Sequence, residues 1–257
     1  MYDKRIFIIA WSIGLAFFAY LMLLFFPAFK DSGLDQLLAT LPPELKALKG
    51  MIGDISALST PSGYLAGQFF DIRMPMFISV FSVILAVGLS VKDEEEGYIR
   101  TLLALPLSRI KLLFGKLIAI VVICVATTIA TVSGLYLGAL SVNVNLDWTV
   151  VSNLSLVMLL LSICMTTLVY CIGLSTGKRG ITMGLGILVG AGSFLLTTFA
   201  KSVDWLQPYE KVSLFHYFPA VDIVKNGISI WDVVVLVGIT ILSILLTIIL
   251  FRRRDVR

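Results

Sequence analysis

The chain has 257 residues, of which 58% are hydrophobic and only 14% are charged, and its formal net charge is +4. Its mean hydropathy of +0.99 is higher than a water-soluble domain of this length could accommodate in a core. A nucleic-acid-binding surface would need a basic face with a base-reading element, and the sequence shows neither, so no nucleic-acid partner is predicted. The composition indicates a protein that crosses a membrane several times.

Six continuous apolar stretches are long enough to cross a bilayer as helices, which takes about 20 residues each. None of them contains Asp, Glu, Lys, Arg or His. Continuous runs favour helices, because the strands of a membrane barrel alternate apolar and polar residues. The predicted fold class is an all-α membrane protein, with one transmembrane domain over residues 1–257 and a retained first helix. The predicted spans cover residues 6–26, 74–91, 117–140, 154–174, 181–200 and 233–251.

The basic residues are unequally divided between the two sides that these spans define. Thirteen lie in the N-terminus, the loop 92–116, the turn 175–180 and the C-terminus, whereas seven are spread over the longer segments of the other side. The positive-inside rule therefore predicts that both termini are cytoplasmic in a multi-pass protein of the cytoplasmic membrane, in contact with its lipids. The segments 27–73 and 201–231 are then predicted to lie outside.

Both outer segments are expected to contain helical pieces. Leucines at near-helical spacing around Pro42–Gly50 predict an amphipathic helix that lies in the outer interface. The segment 201–231 is rich in Trp, Tyr and Phe, which prefer the depth of the membrane interface. We expect partly embedded helical pieces there, interrupted at Pro208 and Pro219.

The loop between the second and third spans carries the pattern that indicates a mechanism. Four acidic residues precede Gly97, and a short amphipathic helix is expected to follow and to stop at Pro106. Ser108 can cap a new helix that runs through Lys116 into the third span. Leu102, Leu103 and Leu105 on the first piece need an apolar partner. A helix joined in this way to two spans could transmit motion from a docked cytoplasmic protein, whereas a merely solvated charged loop is the simpler alternative.

The stretch 94–109, with Gly115 and Lys116 after it, resembles the acidic-Gly-Thr-Leu-x-x-Leu-Leu-x-x-Pro-x-Ser-Arg…Gly-Lys stretch of type-2 ABC exporter permeases. The number of spans and the end of the chain, at Tyr217–Pro219 and Phe251–Asp255, are also similar to members of that family. In the family this loop is a coupling helix that sits in a cleft of the ATPase. The residues that the resemblance assigns to ATPase coupling are Glu94, Glu95, Glu96, Gly97, Leu102, Leu103, Pro106, Ser108, Arg109 and Lys116.

Two features depart from the family pattern. Three residues separate Gly97 from Thr101, where the family usually has Gly-Thr. Only Met1–Arg5 precede the first span, so the amphipathic elbow helix of many members is absent or reduced. A second ATPase contact from the N-terminus is therefore not expected.

The resemblance implies a permease subunit that joins a second permease half, identical or homologous, and two copies of an ABC ATPase. No Gly-x-x-x-x-Gly-Lys-Ser/Thr phosphate loop occurs, since Gly115-Lys116 is followed by Leu117. The chain is thus predicted not to be an enzyme by itself and to hold no cofactor or metal, while ATP and Mg²⁺ bind in the partner ATPase. Spans without charges suggest export of an amphipathic or apolar cargo.

Three other functions remain open at this point. A secondary transporter or channel usually places an ionisable group within the membrane, and the six spans have none. A membrane scaffold without transport is compatible with the composition. The Glu95, Glu96 and Arg100 spacing also fits the Glu-Glu-x-x-x-Arg signature of CAAX-protease-like hydrolases. Such an enzyme needs histidines near its carboxylates, and the only histidine, His216, is predicted on the opposite side of the membrane.

Small residues mark two of the spans. Gly134 and Gly138 lie in the third, and the fifth contains the set Gly180, Gly184, Gly186, Gly190 and Gly192. Such spacing is typical of close helix packing. Alternatively, the fifth span faces the second permease half across the transport pathway, as the first, second and fifth spans do in the resembling family. Both interpretations stay open for Gly180, Gly184, Gly186 and Gly190.

Overall fold

The computed structural model describes residues 2–31, 60–91, 109–200 and 203–253. The expected helix around Pro42–Gly50 lies outside these ranges, as does most of the loop 92–116. The α-helices are α1 (Tyr2–Leu24), α2 (Phe26–Asp31), α3 (Pro61–Tyr64), α4 (Arg73–Leu89), α5 (Arg109–Val142), α6 (Trp148–Thr176), α7 (Arg179–Ala200), α8 (Ala220–Asn226) and α9 (Ile230–Arg253). A π-helix covers Leu65–Phe70, and two 3₁₀ helices cover Asp204–Val212 and Leu214–Tyr217. No strand occurs within the described ranges.

The all-helical membrane fold is confirmed, with 5 helices long and apolar enough to cross a membrane and a sixth crossing if one bent pair is counted. Two helices begin well before the apolar runs from which they were predicted. Helix α5 begins at Arg109 instead of Leu117, and α6 begins at Trp148 instead of Leu154. Apolar runs report the thickness of the hydrocarbon core, and a helix can extend beyond that core on either side.

The bent pair joins residues Pro61–Phe70 to α4 at an angle of 43°. Thr60 begins it as an N-cap, because its hydroxyl accepts a hydrogen bond from the Gly63 amide at 3.1 Å. The apolar run predicts a start only at Met74, since Arg73 interrupts it. The Arg73 guanidinium donates hydrogen bonds to the main-chain oxygen of Gln68 and, at 3.1 Å, to the Gln68 side chain. The helical path therefore reaches further back than hydropathy alone indicates.

Helix α6 is the central element of the bundle. Inside the bundle, 61% of its most apolar stretch is buried, against 17% for α1 and for α9. It contacts α4, α5, α7, α8 and α9. Asp147 caps its start by accepting from the Thr149 amide at 2.9 Å, and Gly177 ends it in the left-handed conformation with φ of 61°. The outer helices expose large apolar side chains, as lipid-facing or partner-facing helices do.

Helices α1 and α5 pack with their backbones in contact. A Cβ atom on Gly134 would overlap the main-chain oxygen of Ala16, and one on Gly138 would lie 2.9 Å from Cβ of Leu23. Small residues allow this approach and gain van der Waals contact where lipid supplies no hydrophobic driving force. The close packing predicted for these two glycines is present.

The segment after α7 folds back against the bundle. Ser213 is fully buried, and its hydroxyl donates to the Ser193 carbonyl at 2.7 Å and pairs with the Thr197 hydroxyl at 2.6 Å. These bonds attach the 3₁₀ helices to α7. Pro219 precedes α8 as expected, but Pro208 lies inside the first 3₁₀ helix and does not interrupt it.

Candidate functional site

One end of the bundle, which we call the loop end, includes five helix termini close to the ends of the loop. They are the start of α1, the end of α4, the start of α5, the end of α6 and the start of α7. The chain leaves the end of α4 at Val91 and re-enters at Arg109, so the loop that carries the sequence pattern is attached here.

Lys116 connects the two helices that carry the loop. Its ammonium group donates a hydrogen bond to the main-chain oxygen of Leu89 at 2.6 Å. Leu89 is the last residue of α4, where carbonyl groups lack a partner within the helix and where the helix dipole favours a cation. The half-buried bond therefore fixes the entry and exit of the loop relative to each other.

The end of α4 is also packed tightly against its neighbours. Ser90 is fully buried and donates to the Ala86 carbonyl at 2.7 Å. A Cβ on Gly173 of α6 would overlap the Ser90 hydroxyl and would approach Thr182 of α7 to 3.2 Å. Thr182 in turn pairs with the Thr176 hydroxyl at 2.9 Å across the turn between α6 and α7. The base of the loop is thus held by three helices.

The predicted coupling residues fall into two groups. Arg109 is the first residue of α5, directly after the position predicted to cap this helix, and Lys116 lies in the next turns. The remaining residues fall outside the described ranges; they are Glu94, Glu95, Glu96, Gly97, Leu102, Leu103, Pro106 and Ser108.

The four glycines singled out in the fifth span divide between two faces of α7. A Cβ on Gly186 would lie 2.9 Å from Val83 of α4, and one on Gly190 would lie 2.8 Å from Ser79. These two glycines face α4. Gly180 and Gly184 are exposed, and no other described atom lies within 4 Å of a Cβ placed there. One helix thus has a packed glycine face and an uncovered one.

His216 lies at the end of the bundle opposite the loop, after the C-terminal end of α7. Its Nδ1 is 3.2 Å from a carboxylate oxygen of Glu210. In the part of the chain that the structure describes, no group of three or more His, Cys, Asp or Glu residues could hold a metal ion. His216 therefore lies at the other end of the bundle from Val91 and Arg109, the described residues that flank the Glu95, Glu96 and Arg100 pattern in the sequence.

Sequence reasoning did not single out Ser90, Gly173 or Thr182. The available signal was the presence of small and hydroxyl-bearing residues at three helix ends predicted on the same side of the membrane. Such residues occur in every span of this chain, so the signal becomes specific only when the packing is known.

Comparison with protein families gives one match that spans the described helices and the loop. The family model described as "ABC-2 family transporter protein" matches residues 7–256. Neither the curated proteins nor the solved structures gave a match.

Proposed function

Because this chain belongs to the ABC-2 family of transporter membrane proteins, we propose that it couples ATP hydrolysis in a separate ATPase to the export of a cargo. The family identifies it as a multi-pass membrane permease without catalytic activity of its own. Two ATPase subunits bind ATP and Mg²⁺, and each receives the loop 92–116 of one permease half. The loop is therefore the part of the chain on which the movement of the ATPase acts.

The observation that carries this proposal is the bond between Lys116 and Leu89. A coupling loop must pass movement to the spans instead of absorbing it, which requires that both of its ends move together. The 2.6 Å bond joins these ends at the membrane side of the loop. Ser90 packs against Gly173 of α6, which also lies close to Thr182 of α7, and this packing supplies a second path into the bundle. ATP shifts the spans only because it binds the closed ATPase pair more tightly than the open one.

The orientation follows from the distribution of basic residues. The loop end carries most of the positive charge, so it faces the cytoplasm together with both termini. ABC ATPases and ATP are cytoplasmic, which agrees with a loop on this side. The chain is then a multi-pass protein of the cytoplasmic membrane.

The second permease half, identical or homologous, approaches the uncovered face of α7. Gly180 and Gly184 lie on this face, and Leu188 and Leu195 continue it as exposed apolar side chains. The most apolar stretches of α1, α7 and α9 are largely unburied in the bundle. These helices therefore have surface available for a partner and for lipid. An amphipathic or apolar cargo fits a pathway between such surfaces.

The variant Lys116→Met tests the coupling role of the base of the loop. Methionine keeps the length of the side chain and removes the donor to Leu89. A hydrogen bond to a charged group contributes about 1.5–3 kcal/mol, so we expect the permease-dependent increase in ATPase rate to fall roughly tenfold or more. The measurement is ATP hydrolysis by the reconstituted complex relative to the ATPase subunit alone.

Lys225→Met is the matched control, since Lys225 is an exposed lysine of α8 at the other end of the bundle. It should leave the rate increase unchanged. The permease alone should hydrolyse no ATP. A Lys116→Met complex that hydrolyses ATP like the parent would show that the loop does not depend on this bond.

A further inference from the structure

A cavity of about 260 Å³ lies at the loop end between four helices. Helix α4 supplies half of its lining, while α1, α5 and α7 supply the rest. The lining residues are Phe7, Ile8, Ile84, Leu85, Val87, Gly88, Leu89, Ile123, Arg179 and Met183. Among the described residues that line the cavity, only Arg179 has a charged side chain, and the other nine are apolar.

One basic residue, Arg179, lines this cavity, and two more, Arg5 and Lys178, are close in sequence to lining residues. Arg179 is exposed and is the first residue of α7, and Lys178 next to it is also exposed. Arg5 lies one helical turn before Ile8, on the same side of α1. Arg179 makes no ion pair with another residue of the described ranges. The site thus combines an apolar interior with a positively charged rim.

We propose that this cavity binds one acyl chain of an anionic phospholipid whose phosphate pairs with Arg179. The inference rests on the orientation given under the proposed function, which places the loop end in the cytoplasmic leaflet. Basic pockets between transmembrane helices on this side bind anionic headgroups, and each basic residue near the surface contributes to the attraction. Burial of the methylene groups of the chain adds to the affinity.

The backbone of α4 leaves room for the chain. Gly88 lines the cavity, and no atom of another described residue outside its own helical turn lies within 4 Å of a Cβ placed on it. Leu89 lines the same cavity, while its carbonyl oxygen binds Lys116. A lipid chain in this position fills the space directly behind the base of the loop. The ligand would therefore support the element that transmits movement from the ATPase.

Trp11 provides the readout for a test. Its ring stacks on Phe7 at a centroid distance of 5.8 Å, and Phe7 lines the cavity. The other three tryptophans lie at the opposite end of the bundle, in the starts of α6 and α9 and in the first 3₁₀ helix. The full-length chain with Trp148→Phe, Trp205→Phe and Trp231→Phe therefore reports only on the loop end.

The experiment places this chain in phosphatidylcholine vesicles that contain a minor fraction of phosphatidylglycerol, with bromine on the acyl chains of one lipid or the other. Bromine quenches a tryptophan that it approaches. We expect brominated phosphatidylglycerol to quench Trp11 with about fivefold preference over brominated phosphatidylcholine, equivalent to ~1 kcal/mol. Gly88→Leu, which fills the cavity, and Arg179→Gln, which removes the charge, should each abolish this preference.

Two matched variants serve as controls and should keep the preference. Gly238→Leu adds the same side chain to an open position of α9, and Lys225→Gln removes a charge at the other end of the bundle. A parent chain without preference would overturn the proposal. So would a preference that survives Gly88→Leu, which places the lipid elsewhere, or one that survives Arg179→Gln, which rules out the headgroup contact. No ATPase is present, so this result is independent of the proposed coupling.

Discussion

A chain with Leu102→Asp and Leu103→Asp is expected to insert into the membrane normally and to lose its ATPase. In the proposed function, the two leucines are apolar side chains that the loop uses to bind the ATPase. Loss of a buried apolar anchor from an interface typically weakens the binding free energy by ~2 kcal/mol or more. Aspartate adds the cost of burying a charge. We expect at least about a thousandfold weaker binding from the two changes together. Co-purification of the ATPase with the tagged permease measures it.

Leu102→Met with Leu103→Met is the matched control, because methionine keeps the apolar character and nearly the volume of leucine. This chain should retain the ATPase. Equal amounts of the two variants in the membrane fraction would show that insertion is unaffected. Co-purification of the ATPase with the Asp variant at the level of the parent would contradict the docking role of the loop.

The second large effect is expected from Gly134→Leu, which should prevent α1 from packing on α5. A Cβ at this position overlaps the main-chain oxygen of Ala16, so the clash is with backbone and cannot be relieved by a rotamer change. Overpacking of a fitted interface costs about 1–3 kcal/mol, and a backbone overlap should reach the upper end of this range or exceed it. The loss of stability is measured by thermal unfolding of the purified chain, with size-exclusion chromatography to monitor the folded fraction.

Gly192→Leu adds the same side chain to α7 at a position where a Cβ would meet no neighbour within 4 Å in the part of the chain that the structure describes. Its unfolding temperature should stay close to that of the parent. Gly134→Ala should fall between the two, since a single methyl group already meets the backbone of α1. A Gly134→Leu chain as stable as Gly192→Leu would mean that α1 and α5 do not pack as closely as the structure describes.

The spans could be predicted because they report a simple property of the solvent around them. A bilayer core excludes charged side chains, so apolar runs such as 233–251 mark where the chain crosses it. Helix ends obey other rules. Helix α5 begins at Arg109 because Lys111 and Lys116 can extend a helix into water, where hydropathy is not informative. The bend before Arg73 depends on the contacts of that residue with Gln68, which no apolar pattern encodes.

The site shows the same division between local pattern and tertiary contact. Lys116 belongs to the motif that resembles the family, but its partner Leu89 lies 27 residues earlier and is found only when α4 and α5 are side by side. The glycines of α7 give a second example. Their four-residue spacing predicts a small-residue face, yet the packing of α4 decides that Gly186 is covered and Gly184 is not. The sequence indicated that these glycines form small-residue positions on α7, but not which of them are covered by a neighbouring helix.

Site-specific crosslinking from the loop in living cells is the most direct test of whether the loop contacts an ATPase. A photoreactive amino acid is placed at single positions from Gly97 through Arg109, and captured proteins are identified by mass spectrometry. If the loop couples the permease to an ATPase, an ATP-binding-cassette ATPase will be captured from several of these positions. No ATPase will be captured from position 205 or 209 at the other end of the bundle. Capture of no such ATPase, or labelling of these loop positions by a reagent that reaches only the outer face, would contradict it.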